Sequence, residues 1–171
     1  MHHRPLRLAA AIGLLLTGTT AHAVSNPATT TFQVTATVLK ACTVSATALA
    51  FGNYTPTAGA LTNSSTISVA CTKTSPYTVT LNGGSTSGGT IGQRLMSNGT
   101  QTLQYNLYTS NTYATILGDG VTSGSANVTG TGAGLAVPST ITVYGKLPDS
   151  AANQAVPAGS YTDTITVSVA Y

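Results

Sequence analysis

The chain has 171 residues, of which 5% are charged, with six Lys and Arg against three Asp and a formal net charge of +3. All three histidines (His2, His3, His22) lie in the first 22 residues, and the chain contains no Glu. A serine-hydrolase triad therefore lacks its usual base, and zinc, haem and iron–sulfur centres lack ligands.

His2, His3, Arg4 and Arg7 make a basic start, residues 8–16 form a short apolar run, and Ala21-His22-Ala23 supplies small residues at a cleavage site. This pattern predicts a signal peptide over residues 1–23, too short in its apolar part to span a bilayer. Its removal leaves Lys40, Lys73, Arg94 and Lys146 against Asp119, Asp149 and Asp163, a formal charge of +1. Four scattered cations form no phosphate-tracking stripe, so no nucleic-acid partner is expected. A remainder of about 150 residues suits one domain.

Residues 31–38 come next. Phe32, Val34, Ala36 and Val38 alternate with Gln33, Thr35 and Thr37, which predicts a half-buried strand tethered only at its C-terminal end. With Cys42 and Cys71 as the only cysteines of a chain read as exported, one disulfide is expected. A redox or metal role lacks a CxxC motif and a histidine.

Residues 42–44 and 49–52 read as an interrupted first strand, followed by a loop over residues 53–63. Alternation then predicts strands at 65–72 and 77–81, a Gly/Ser/Thr-rich loop over 82–92, and strands at 94–96 and 103–108 around an Asn98-Gly99 turn. A further short strand is expected at 113–117. Residues 118–134 read as the most flexible part, in which Asp119 is a turn aspartate rather than a calcium ligand. A strand at 139–144 and a loop at 145–158 lead to the strongest alternation, in which Tyr161, Asp163, Ile165, Val167, Val169 and Tyr171 share one face. No segment shows helical caps with a 3.6-residue period. Short strands with turns every 8–12 residues indicate an all-β sandwich. Asp149 and Asp163 lie in or beside loops with nothing to pair them as glycosidase carboxylates, so no enzyme is expected.

The two terminal strands pose an edge problem. The arm ahead of Cys42 has nothing to pin it, and the final strand has no following segment to pair with its outer edge. The two are the halves of a head-to-tail joint between copies; an arm paired within its own domain is the alternative.

Six blocks in order, FQVTATV (32–38) leading to CTV (42–44), LAFG (49–52), ISVAC (67–71), LQYNLY (103–108), VYGKLP (143–148) and AGSYTDTITV (158–167), resemble the spore coat protein U domain family, which includes Csu-type pilins of archaic chaperone–usher fimbriae. The resemblance implies an incomplete immunoglobulin-like β-sandwich completed by a donor strand from a chaperone or a neighbouring subunit. It divides the chain into a signal peptide (1–23), a donor-strand arm and connector (24–41) and a pilin domain (42–171). Phe32, Val34, Ala36 and Val38 would be donor residues, Cys42 and Cys71 the family's paired cysteines, and Ile165, Val167, Val169 and Tyr171 the strand beside the acceptor groove. The implied partners are like or related pilin subunits, a periplasmic chaperone and an outer-membrane usher, with no cofactor and no small-molecule substrate. The implied role is a surface fimbrial subunit in adhesion and biofilm formation; a tip adhesin and a self-contained secreted coat protein are the other readings. Leu117 departs from the family pattern, which often carries an aromatic residue before the Gly-Asp-Gly turn.

Overall fold

Alternating apolar and Thr/Ser residues favour extended chain, because β-branched side chains pack well on a pleated half-buried surface. The computed structural model describes residues 27–171 and is built from ten strands and one short helix among them. The predicted signal peptide lies outside the described residues. The chain divides into two units, Met1–Thr37 and Val38–Tyr171.

In the described part of the first unit, residues 28–37 belong to no strand ladder or helix, and the predicted strand takes no ladder partner. Phe32 is 87% and Val34 81% exposed, and Ala36 is exposed too.

The second unit is a two-sheet body. One sheet runs in the order β1 (Cys42–Ala46), β2 (Leu61–Cys71), β9 (Ser139–Leu147), β5 (Thr102–Tyr108), β6 (Ile116–Leu117) and β7 (Ser125–Ala126), with β4 (Arg94–Ser97) also paired to β5. The other is β10 (Val167–Ala170), β3 (Pro76–Leu81) and β8 (Val128–Thr131). The core joins inward residues of both sheets, with Ile67, Val69, Leu103, Leu107, Val143 and Leu147 from the first and Tyr77, Val79 and Leu81 from the second. Val38 and Leu39, ahead of β1, are exposed.

Several elements differ from expectation. β2 begins at Leu61 rather than 65, because its first residues pair with an equally extended β9, from Leu61 opposite Leu147 to Val69 opposite Ser139. The predicted loop at 145–158 therefore starts later and contains α1 (Ala151–Gln154), capped by the Ser150 hydroxyl accepting from the Asn153 N–H. Residues 118–134 hold β7 and β8. The Asp119 carboxylate organises the turn from β6 into β7, accepting from the N–H groups of Val121 and Thr122 and the hydroxyls of Thr122 and Ser125. Leu117 is completely buried.

Cys42 and Cys71 sit directly opposite each other in the β1–β2 ladder and form the disulfide. The bridge closes a loop between residues 29 apart. Replacing both with Ala is expected to cost about 3–4 kcal/mol, read as a urea midpoint below that of the oxidised wild type, with reducing agent lowering only the wild type.

Candidate functional site

Sheet edges leave main-chain donors and acceptors free unless something covers them. Here β1 ends one sheet and β10 ends the other, and each pairs on one side only among the described residues. Between them lies an open groove of about 1040 Å³. A finished core leaves few voids larger than a water molecule, so a hole of this size over core residues marks an unfilled place in the sandwich.

Ile67, Leu81, Leu103, Leu107, Val143 and Leu147 form the floor. One wall is the irregular segment 47–56, which lays Leu49 and Phe51 against β9 at Gly145. A Cβ at Gly145 would come within 2.7 Å of Leu49 Cδ1 and 3.0 Å of Phe51 Cζ, so only glycine lets this wall approach. Phe51 also meets Tyr105 edge to face, ring centroids 6.0 Å apart.

The opposite wall is the final segment. From Tyr161 to Val169 every second residue is half-buried and the residues between them are exposed. The inward residues of β3, the neighbour on the same sheet, are by contrast fully covered: Tyr77 is 6%, Val79 0% and Leu81 3% exposed. The difference is the missing cover over the final segment. Ile165 and Val167 line the groove. Val169 packs against the core but is not part of the lining, and Tyr171 is 56% exposed. The structure thus brings two of the four predicted acceptor residues together at the groove.

The predicted long last strand is shortened to β10 because side chains replace its ladder before Val167. Asp163 Oδ1 accepts from the N–H groups of Ser85 (2.8 Å) and Thr86 (3.0 Å) and from both their hydroxyls. Its Oδ2 accepts from Tyr105 Oη at 2.7 Å. The Thr166 N–H donates to Asn82 Oδ1 and the Thr164 N–H to Ser85 Oγ. At the other end of the groove, Asp149 accepts from Tyr54 Oη, the Thr57 and Gly59 N–H groups and Gln154. The sequence offered no sign of these clamps, since apart from Gln154 the partners lie 58 to 95 residues from the carboxylate they hold.

The electrostatics are those of anchors. Burial raises the Asp163 pKa, but hydrogen bonds from Tyr105, Ser85 and Thr86 outweigh it and hold the carboxyl below its ordinary value. Tyr54 holds Asp149 low, helped by Gln154 and the two N–H groups. Asp119 is held low by the Thr122 and Val121 N–H groups. Burial and the Asp149 bond push Tyr54 up to about 12, and burial with the Asp163 bond raises Tyr105 further. The described residues contain no His or Glu. Carboxyls with depressed folded pKa values stabilise above their unfolded pKa of about 4 and lose that contribution as pH falls. Tyrosines with raised values stabilise fully below about 10 and lose it as pH rises. Thermal melts are therefore expected to plateau between about pH 5 and 9, with both shoulders falling; a sloping midpoint across pH 6–7 would contradict this.

Among the described residues there is no cluster of three His, Cys, Asp or Glu side chains able to hold a metal. No helix among them is long and apolar enough to cross a membrane. The groove's lining contains one charged side chain, Asp163, already fully engaged. What this geometry can do chemically is receive an extended apolar segment whose main chain pairs with a sheet edge.

Comparison with known proteins gives one family and a structural likeness. The model of the Spore Coat Protein U domain matches residues 28–168. No curated protein matches the chain. Among solved structures, it is similar to a chain in the crystal structure of the CsuC–CsuE chaperone–tip adhesion subunit pre-assembly complex from archaic chaperone–usher Csu pili of Acinetobacter baumannii, at 26% identity and a TM-score of 0.51. That match covers 79% of this chain and 40% of the other.

Proposed function

Since the chain belongs to the Spore Coat Protein U domain family, we propose that it is a structural subunit of a chaperone–usher pilus that polymerises by donor-strand exchange. Residues 24–41 are the donor arm and connector, and residues 42–171 the pilin domain. Phe32, Val34, Ala36 and Val38 of one copy enter the groove of the next, beside a strand carrying Ile165, Val167, Val169 and Tyr171. After export directed by residues 1–23, a periplasmic chaperone fills the groove first, and the next subunit's arm replaces it at an outer-membrane usher. The fibre supports adhesion and biofilm formation, and the subunit's role in it is mechanical rather than catalytic.

One observation carries this reading: an apolar groove over core residues, beside an edge strand whose inward side chains are half-exposed. The occupant must be extended and apolar on one face, and residues 32–38 have that pattern. Burying one Phe, two Val and one Ala contributes roughly 5–8 kcal/mol, in addition to main-chain hydrogen bonds.

Deleting residues 24–38 is expected to leave a subunit that still binds its chaperone but forms no fibres. Appending a copy of residues 28–40 behind Tyr171 through a flexible linker should give a stable, non-polymerising monomer. Normal fibres from the deletion would refute the reading.

A further inference from the structure

The outer face of the larger sheet, away from the groove, carries a second site. Paired residues of a ladder project to the same face, and Asn106 opposes Lys146 while Tyr108 opposes Tyr144. A notch of about 200 Å³ opens there, walled by Gln93, Gln104, Tyr108, Lys146 and Pro148. Tyr113 flanks the notch rather than lining it, edge to face against Tyr108 with ring centroids 5.4 Å apart and with Lys146 Nζ 5.3 Å from its own centroid.

Three features single this place out. Tyr113 holds a left-handed backbone, φ 55°, in a turn where its N–H donates to the Ser110 carbonyl. A bulky residue there is strained, and such strain gathers where a side chain must be presented. Among the described residues, the Gln93 and Gln104 side-chain amides have no hydrogen-bond partner, although their backbone groups do. Lys146 has no carboxylate partner among them either, and its ammonium rests only over a ring.

We infer that this notch binds an acidic sugar, a pyranose ring bearing a carboxylate. Each amide offers a donor and an acceptor, matching pairs of ring hydroxyls. A tyrosine ring takes the apolar C–H face of a pyranose. The ammonium supplies a charge-assisted bond to the carboxylate. The volume suits a single ring, and because β5 and β9 are both paired on either side, no free edge is available for a peptide strand.

The test is saturation-transfer NMR and calorimetry on the purified full chain with galacturonate and glucuronate trimers, against a neutral maltotriose. Saturable binding of the uronates is expected, weakened by salt and at least tenfold stronger than that of maltotriose. Lys146→Gln should reduce affinity about tenfold. Tyr113→Gly relieves the backbone, so the melting temperature should hold or rise while binding is lost. Absent or salt-insensitive binding, equal affinity for maltotriose, or wild-type binding by both variants would overturn the assignment. So would variants that change fibre assembly but not uronate binding, since the patch would then be a contact between subunits.

Discussion

Replacing Arg94 with Met is expected to destabilise the domain by about 3 kcal/mol, a large part of a stability of about 5–15 kcal/mol. Arg94 is completely buried, the largest side chain to be so among the described residues. Its Nε and Nη2 donate to the Asn82 carbonyl at 3.0 and 2.8 Å, Nη2 also to the Leu117 carbonyl at 2.8 Å, and Nη1 to Asn106 Oδ1 at 2.6 Å. These acceptors follow β3 in one sheet and belong to β6 and β5 in the other, so one guanidinium ties the two sheets together. Removing it orphans the buried Leu117 carbonyl, at a cost of about 1–3 kcal/mol, and takes a donor from the part-buried Asn82 carbonyl and the buried Asn106 Oδ1. Relief of the guanidinium's own desolvation, which already lowers its pKa, offsets part of that. Lys at this position should recover little, because a single ammonium cannot serve acceptors fanned around a planar fork. Lys73→Gln, at an exposed cation, should shift the urea midpoint by less than about 0.5 kcal/mol. Equal midpoints for wild type and Arg94→Met would refute this role.

Nothing local marks Arg94 as interior. It reads in the sequence as one of four scattered cations opening a short strand, and alternation cannot tell a buried outer face from a solvated one. The same holds for Asn106, which is buried because its amide donates to the Ile91 and Gly92 carbonyls of a loop folded over β5. Where burial follows the pleat, the residues announce it: Ile67 and Val69 in β2, Tyr77, Val79 and Leu81 in β3, and Leu103, Tyr105 and Leu107 in β5 are all core. The disulfide was equally legible, since two cysteines allow one pairing. Gly145 shows the limit from the other side. It reads as the start of a loop, yet it lies inside β9, where its missing Cβ makes room for Leu49 and Phe51.

The groove was half legible. The alternation of residues 161–171 pointed to an apolar face, and that face is present from Tyr161 to Val169. The wall across from it was not, because residues 47–56 have no strand period and are held by Asp149, nearly a hundred residues away. That Asp163 fixes the final segment by binding Ser85 and Thr86 was also hidden, so the last ladder was expected to be longer than β10 is.

Ile165→Asp should separate the groove from the core more sharply than any deletion. Ile165 is half-buried at an unfilled site, so in the free subunit a carboxylate there reaches water and the domain folds with a modestly lowered melting temperature. In the proposed fibre an incoming strand would cover that position and strand the charge without a partner, a penalty of several kcal/mol. About 4 kcal/mol is a thousandfold in affinity, enough to abolish assembly while leaving the monomer intact. Val79→Asp, at a fully covered position of β3, should instead fail to fold at all. Thr166→Asp, on the exposed face between Ile165 and Val167, should do neither. Circular dichroism for folding and electron microscopy for fibres read the two effects independently. Fibres of normal length from Ile165→Asp would mean that the groove is not where subunits join, whereas loss of fibres from a folded Ile165→Asp alone, with Thr166→Asp unaffected, would place the joint on the inward face of the final segment.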